Sequence, residues 1–305
     1  MPRLSLIVAT YNRAEQLLTT LRSVAAQTAP AAEWECVVVD NNSTDDTIAV
    51  LRHWRDSIAD SGMTVKILEC ATPGASAARN IGLAAASAPW TMFFDSDDTM
   101  RPRHIARAVE AIEANPDAKL IGWDIMLHEG PKASVKPFNP HNLSRRNIFE
   151  GSMAPQRYCV STELARRAGG WNESVLRWND IEYGQRILAL NPVTVFAGSE
   201  ITVDVIAGEK SITGTSFAAD ADRLNHALDT IKSTIKGPEA GIVELKRAIT
   251  AGLCARENST VGRTMLDRAL NATSKPRQRL LLRAAYSYTA IGGRGAARLF
   301  LPLFH

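Results

Sequence analysis

Short, unbroken apolar runs alternate with amphipathic stretches through residues 1–125. Leu4–Ala9, Glu35–Val39, Val65–Leu68, Trp90–Phe94 and Leu120–Leu127 each read as a buried strand. Between them the pattern changes to a helical period. Asn12 opens a stretch to about Gln27 with Leu17, Leu18, Leu21 and Val24 on one face. Ser43 or Thr44 is placed to cap a second helix bearing Ile48, Leu51 and Ile58. Pro73-Gly74 starts an alanine-rich third, Ala75–Ala86, whose small side chains suit close packing. Pro102–Ala114 is the fourth, and it stops at Asn115-Pro116. Such repetition predicts an α/β fold, a mostly parallel central sheet flanked by helices on both faces.

Polar residues cluster where the strands end. Thr10-Tyr11-Asn12-Arg13, Asp40-Asn41-Asn42 and Asp95–Asp98 each follow a predicted strand directly. In parallel sheets ligands bind beyond the carboxyl ends of the strands, so three loops should converge on one edge. The most pointed of them is Phe93-Phe94-Asp95-Ser96-Asp97-Asp98, an apolar strand that runs into three carboxylates. Three acids in four positions repel one another unless a cation intervenes. A hard divalent ion, Mg²⁺ or Mn²⁺, holding a diphosphate is the occupant this donor set suits. The plainer alternative is a turn whose Asp caps the helix after Pro102, for which one Asp would serve.

Beyond residue 125 the pattern loosens. Residues 129–150, with Pro131, Pro137 and Pro140, read as an irregular excursion or flap over the site. A helix over Ser161–Ala168 ends at Gly169-Gly170, and another begins near Asn179. Val193–Ala197 and Ile201–Val205 read as strands, and from Phe217 onward the pattern is helical with three breaks. The expected division is a catalytic domain over residues 1–215 and a helical C-terminal region over 216–305.

A chain of 305 residues with 45% hydrophobic and 22% charged content is an ordinary globular one. The net charge of +3 is too small to argue for nucleic acid. Its distribution says more, because no acid follows Asp267 while Arg268, Lys275, Arg277, Arg279, Arg283, Arg294 and Arg298 do. Cys36, Cys70, Cys159 and Cys254 lack metal-ligand spacing and read as buried thiols in a reducing compartment. No signal peptide is visible, and no run reaches the ~18 apolar residues of a membrane span. A cytoplasmic protein, free or peripheral on the inner face of a membrane, is expected.

Four blocks in order resemble the family-2 glycosyltransferases of GT-A fold, over about residues 3–215. They are Leu6–Arg13; Gln27-Thr28 with Val37–Thr47; Gly74–Asn80 leading to Phe94–Asp98; and Gly169–Ser174 followed by Asn179-Asp180. The resemblance implies a metal-dependent, inverting transfer of one sugar from a nucleotide-diphospho-sugar, most often a UDP-sugar. The acceptor would be a hydroxyl of a saccharide or a lipid-linked molecule, in surface or secreted polysaccharide synthesis. It makes Asp180 the base, Asp97 a metal ligand, Asp95 a ribose or metal contact, and Asp98 a support. Thr10, Tyr11, Arg13, Asp40, Arg79 and Ser96 would line the nucleotide pocket. The family's usual Glu-Asp pair is Asn179-Asp180 here, and Glu182 is the fallback base. Lys210 is either a phosphate contact or a solvated lysine. Trp171 and Trp178 either stack on a sugar or pack in the core. The processive members' Gln-x-x-Arg-Trp motif is missing, since no tryptophan follows Trp178.

Two other functions stay open on the residues. One is a nucleotide-sugar-binding scaffold without catalysis, suggested by Asn179. The other is a sugar nucleotidyltransferase, which would want a glycine-rich loop where Thr10–Arg13 stands. The basic region after Asp267 carries apolar Leu280, Leu281, Leu282, Ala285, Tyr288 and Ile291, then Leu299–Phe304, and suits either an anionic membrane or packing as a subdomain or homo-oligomer.

Overall fold

The computed structural model describes residues 1–207, 216–235 and 240–304. In chain order the first elements are β1 (Leu4–Thr10), α1 (Ala14–Ala25), β2 (Trp34–Asp40), α2 (Thr47–Ser57), β3 (Thr64–Glu69), α3 (Ala75–Ala85) and β4 (Trp90–Asp95). Then come β5 (Thr99–Met100), α4 (His104–Ala114), β6 (Leu120–Gly122), β7 (Ile125–Glu129), β8 (Lys132–Lys136) and α5 (Leu143–Glu150). The remainder are β9 (Tyr158–Ser161), α6 (Thr162–Arg167), α7 (Asn179–Ala189), β10 (Thr194–Phe196), β11 (Val203–Ile206) and five helices. These are α8 (Ala221–Thr234), α9 (Gly241–Glu257), α10 (Ser259–Asn271), α11 (Pro276–Ala290) and α12 (Ala296–Phe300).

Two compact units result. The first comprises Met1–Leu143, Ser152–Glu173 and Leu190–Gly208; the second comprises Ser144–Gly151, Ser174–Ala189 and Glu209–His305. The helical unit thus draws two segments from the first 215 residues.

The first unit is built on a seven-stranded sheet of order β10-β6-β9-β4-β1-β2-β3. β3, β2, β1 and β4 are mutually parallel, as the strand–helix alternation predicts. β9 runs against both of its neighbours. On one face Leu6, Val8, Val38, Met92 and Phe94 pack in a core with Leu17, Leu21, Leu51 and Ile105. On the other, α3 comes close because its residues are small. A Cβ at Gly82 would sit 2.3 Å from Ile7 Cγ2.

The stretch read as one strand, Leu120–Leu127, is divided between two sheets. β6 stays in the large sheet, whereas β7 joins a second sheet of order β5-β11-β7-β8. Trp123 and Asp124 make the break. Trp123 Nε1 donates to Gln156 O at 2.8 Å, and Asp124 Oδ1 accepts from Phe138 N at 2.7 Å. Nor is 129–150 irregular. It holds a hairpin turned at Gly130 (φ 59°) and the helix α5. Lys132–Lys136 is mostly exposed, so it lacks the apolar alternation that would mark a strand.

The second unit is helical. Leu224, Leu228, Ile231, Leu245, Met265, Leu266 and Leu282 form its core, joined by Ile148 of α5 and Ile181 of α7. Asn147 Nδ2 donates to Ile181 O at 2.9 Å and ties those two helices together. Arg247, 1% exposed, donates to Glu244 at 2.9 Å, Asn225 at 2.5 Å and Asp229 at 2.7 Å.

Candidate active site

Strand register sets the site. Thr10 pairs with Asp40 and Ala9 with Asp95, so the carboxyl ends of β1, β2 and β4 lie level. Thr10 is buried, and its hydroxyl has no hydrogen-bond partner among the described residues. A buried orphan hydroxyl at a strand end is a group that a ligand atom would satisfy. Asp40 accepts from Ser43 N at 3.0 Å and from Ser43 Oγ at 2.5 Å. Ser43 therefore does not cap α2, contrary to expectation, and Thr44 does not either. That helix starts at Thr47, whose N–H is taken by Asp45 Oδ1 at 3.0 Å. Asn12, in the left-handed region (φ 47°), donates its N–H to Ser43 Oγ and accepts from Thr44 N. Tyr11 stands beside it, half exposed.

The acidic turn after β4 is crowded and charged. Arg13 Nη1 donates to Asp97 Oδ2 at 2.5 Å, and Arg79 Nη2 to Asp95 Oδ1 at 2.7 Å. Gln156 Nε2 donates to Asp95 Oδ2 at 2.8 Å and also reaches Asp98 Oδ2. Asp98 Oδ1 accepts from Ile206 N at 2.9 Å. Ser96 is buried in the same turn. Three carboxylates thus face two guanidinium groups. Burial and the neighbouring Asp95 push Asp97 upward despite Arg13. Burial, Asp95 and Asp97 push Asp98 up to about 8.

Arg79 is held between that turn and an aromatic pair. Its guanidinium lies 4.3 Å from the Trp171 ring centroid, and Trp171 meets Phe93 edge to face at 5.1 Å. Trp171 is 2% exposed, so its role is packing rather than sugar stacking. Asn80 fixes the Gly169–Glu173 loop by accepting from Trp171 N at 2.7 Å and donating to Trp171 O at 2.9 Å.

Asp180, Glu182 and Trp178 lie in the helical unit. Asp180 is the second residue of α7 and is partly exposed. Glu182 is fully buried, and both its oxygens accept from Arg186, at 2.7 and 2.8 Å. Trp178 adopts φ 55°, with Lys246 Nζ 4.6 Å from its ring centroid. Burial pulls the Lys246 ammonium down to about 8, against the opposing pull of Asp180. Lys210 lies outside the described residues.

The family description "Glycosyl transferase family 2" matches residues 5–148. These residues belong to glycosyltransferase family 2. The matched span contains Thr10, Arg13, Asp40, Arg79 and Asp95–Asp98. Validoxylamine A glucosyltransferase of Streptomyces hygroscopicus subsp. jinggangensis is 29% identical over 229 residues, 64% of this chain and 54% of that protein. Staphylococcus aureus TarS, a poly(ribitol-phosphate) β-N-acetylglucosaminyltransferase, is 34% identical over 168 residues, 54% of this chain and 28% of that protein. The chain spans about half the length, or less, of both. Residues 1–349 of TarS, solved with UDP-GlcNAc, share the fold at a TM-score of 0.70 and 18% identity, over 99% of this chain and 93% of that one. The mannosyltransferase PcManGT from Pyrobaculum calidifontis, solved with GDP-Man and Mn²⁺, does so at 0.60 and 20%, over 98% and 83%. The GT-A fold and the helical C-terminal region expected from sequence are both present.

In the matched span the donor set suits a hard divalent ion. The described residues hold no ready cage of three His, Cys, Asp or Glu ligands, but an ion bound by one or two carboxylates plus phosphates needs none. Sequence reasoning missed Gln156 and Asn41. Asn41 accepts from Gly74 N at 2.7 Å and donates to Thr72 O at 2.6 Å, fixing the start of α3. Its place beside Asp40 was the only signal. Gln156 had none.

Proposed function

We infer that the protein is an inverting glycosyltransferase that moves a single sugar from a nucleotide-diphospho-sugar to an acceptor hydroxyl. The observation that carries this reading is the level edge of β1, β2 and β4, with the orphan Thr10 hydroxyl, Asp40 and the acid-rich turn, inside a family-2 span. The donor assignment is a UDP-sugar, supported by the fold shared with TarS solved with UDP-GlcNAc. Asp40 would accept from the base's imino N–H, while Thr10, Tyr11 and Ser96 line the nucleotide pocket. Asp97, with Asp95 beside it, would hold Mn²⁺ or Mg²⁺, and PcManGT with Mn²⁺ supports that choice. A bound divalent ion supplies charge neutralisation for the departing diphosphate. Arg13 and Arg79 hold Asp97 and Asp95 in place and add positive charge at the same edge. Asp98, bonded to Ile206 and Gln156, supports the turn from behind.

Asp180 is the proposed base for the incoming hydroxyl, on the strength of its place after the Gly169–Ser174 block. Glu182 is set aside because Arg186 occupies both its oxygens. The acceptor is a saccharide or lipid-linked hydroxyl. The test is consumption of UDP-sugars with and without Mn²⁺, by the wild type and by Asp180→Asn. Wild-type turnover should depend on the metal, and Asp180→Asn should lower kcat by about 100- to 10,000-fold. Equal turnover removes Asp180 from the mechanism. UDP binding without transfer, over a range of acceptors, would mean a scaffold instead.

A further inference from the structure

The face of the helical unit formed by α11 and α12 is unlike the rest of that unit. From residue 268 on there is no Asp or Glu. The exposed positions of α11 include Arg277, Leu280, Arg283 and Ser287, continued by Ile291 just past its end. Steps of three or four residues keep these on one helix face, opposite the buried Leu282, Ala285 and Thr289. Arg294, Arg298, Leu299 and Leu303 are exposed in the segment that follows.

The arginines of this face differ from several others in the unit. Elsewhere in the unit Arg177 and Arg223 pair with Asp220, Arg247 with Glu244 and Asp229, and Arg268 with Asp229. Arg277, Arg283, Arg294 and Arg298 make no ion pair among the described residues. Between them stand Leu280 at 68% exposure, Ile291 at 86%, Leu299 at 51% and Leu303 at 47%. One exposed leucine needs no explanation. Four large apolar side chains interleaved with four unpaired arginines on an acid-free segment form a pattern with a physical counterpart. A bilayer bearing anionic lipid presents phosphates for the arginines and an apolar boundary just beneath them.

We propose that this face docks on anionic lipid bilayers, with the four arginines at the headgroups and Leu280, Ile291, Leu299 and Leu303 in the interfacial layer. A second copy of the chain fits poorly, because two such faces would bring like charges together. A soluble polyanion would use the arginines and leave the apolar side chains without a role. No described helix is long and apolar enough to cross a membrane, so the contact is peripheral.

The test is flotation of the full chain with vesicles of phosphatidylglycerol and phosphatidylcholine, and with phosphatidylcholine alone, at low and high salt. The wild type should float with the anionic vesicles only, and salt should release it. Each arginine near an anionic surface is worth about five-fold in partitioning, so Arg283→Ser with Arg294→Ser should weaken binding about twenty-five-fold. Leu280→Ser with Ile291→Ser should weaken it as well. Melting curves of both variants check the fold, and the comparison of lipids by the wild type stands without them. The proposal falls if the wild type ignores anionic vesicles or binds both kinds equally. It falls also if the apolar variant binds normally while polyphosphate competes, which would mark a polyanion site. A dimer in light scattering that these substitutions disperse would be the third contrary result.

Discussion

Strand β2 runs between two carboxylate-bearing edges of the sheet, and the fold treats those edges in opposite ways. At the amino end Glu35 is fully buried and well supplied with donors. Ser5 Oγ lies at 2.6 Å, Ser87 N at 2.6 Å, Ser87 Oγ at 2.8 Å and Lys66 Nζ at 2.8 Å. Burial alone would raise Glu35, but bonds from Lys66, Ser5 and Ser87 outweigh it and hold the carboxyl at about 2. At the other end Asp40 adjoins a turn where three acids outnumber Arg13 and Arg79, and Asp98 is pushed up to about 8. One edge is matched by donors in the folded chain. The other crowds three carboxylates so closely that Asp98 holds its proton well above the usual range, which is the usual difference between a structural acid and a functional one.

Substitutions at the two edges should therefore separate activity from stability. Asp97→Asn should have the largest effect, lowering kcat/KM by about 100- to 1000-fold through lost stabilisation of the leaving group. Its melting temperature should hold or rise, because one of three repelling charges is gone. A large loss of stability would break the comparison. Glu35→Gln should do the reverse, costing about 1–3 kcal/mol of stability with normal activity per folded molecule. Because the folded pKa of Glu35 lies below its unfolded value of 4.5, its contribution is present above about 4.5 and is lost as pH falls toward 2. Denaturant unfolding between those limits should be steeper in pH for the wild type than for Glu35→Gln. Ser43→Ala should have the smallest effect, raising the KM for donor a few-fold, about 1 kcal/mol, by loosening Asp40. If it lowers stability and leaves KM alone, the Asp40 end belongs with structure.

The legible parts of the molecule were those where burial and period agree. β1 to β4 lie between helical stretches and are mostly apolar, so their ends, and with them Thr10, Asp40 and Asp95–Asp98, could be read directly. β8 escaped because an exposed Lys-Ala-Ser-Val-Lys strand has no apolar period, and the β6–β7 break escaped because tertiary bonds to Trp123 and Asp124 make it. Ser43 looked like a helix cap until the fold gave it Asp40 as a partner. Trp171 looked equally suited to sugar or core, and its burial, with Arg79 and Phe93 on its ring, favours the core. Gln156 was invisible. It lies in Pro155–Arg157, a short turn with no periodic signal, and reaches Asp95 and Asp98 from about 60 positions away.

The most direct measurement is calorimetric titration of UDP into the wild type and Asp97→Asn, each with and without Mn²⁺. The acid-rich edge of β4 should give the wild type tighter binding with Mn²⁺, by ten-fold or more, and Asp97→Asn should lose that gain. Equal affinity in all four titrations, or a full Mn²⁺ effect in Asp97→Asn, would contradict the account.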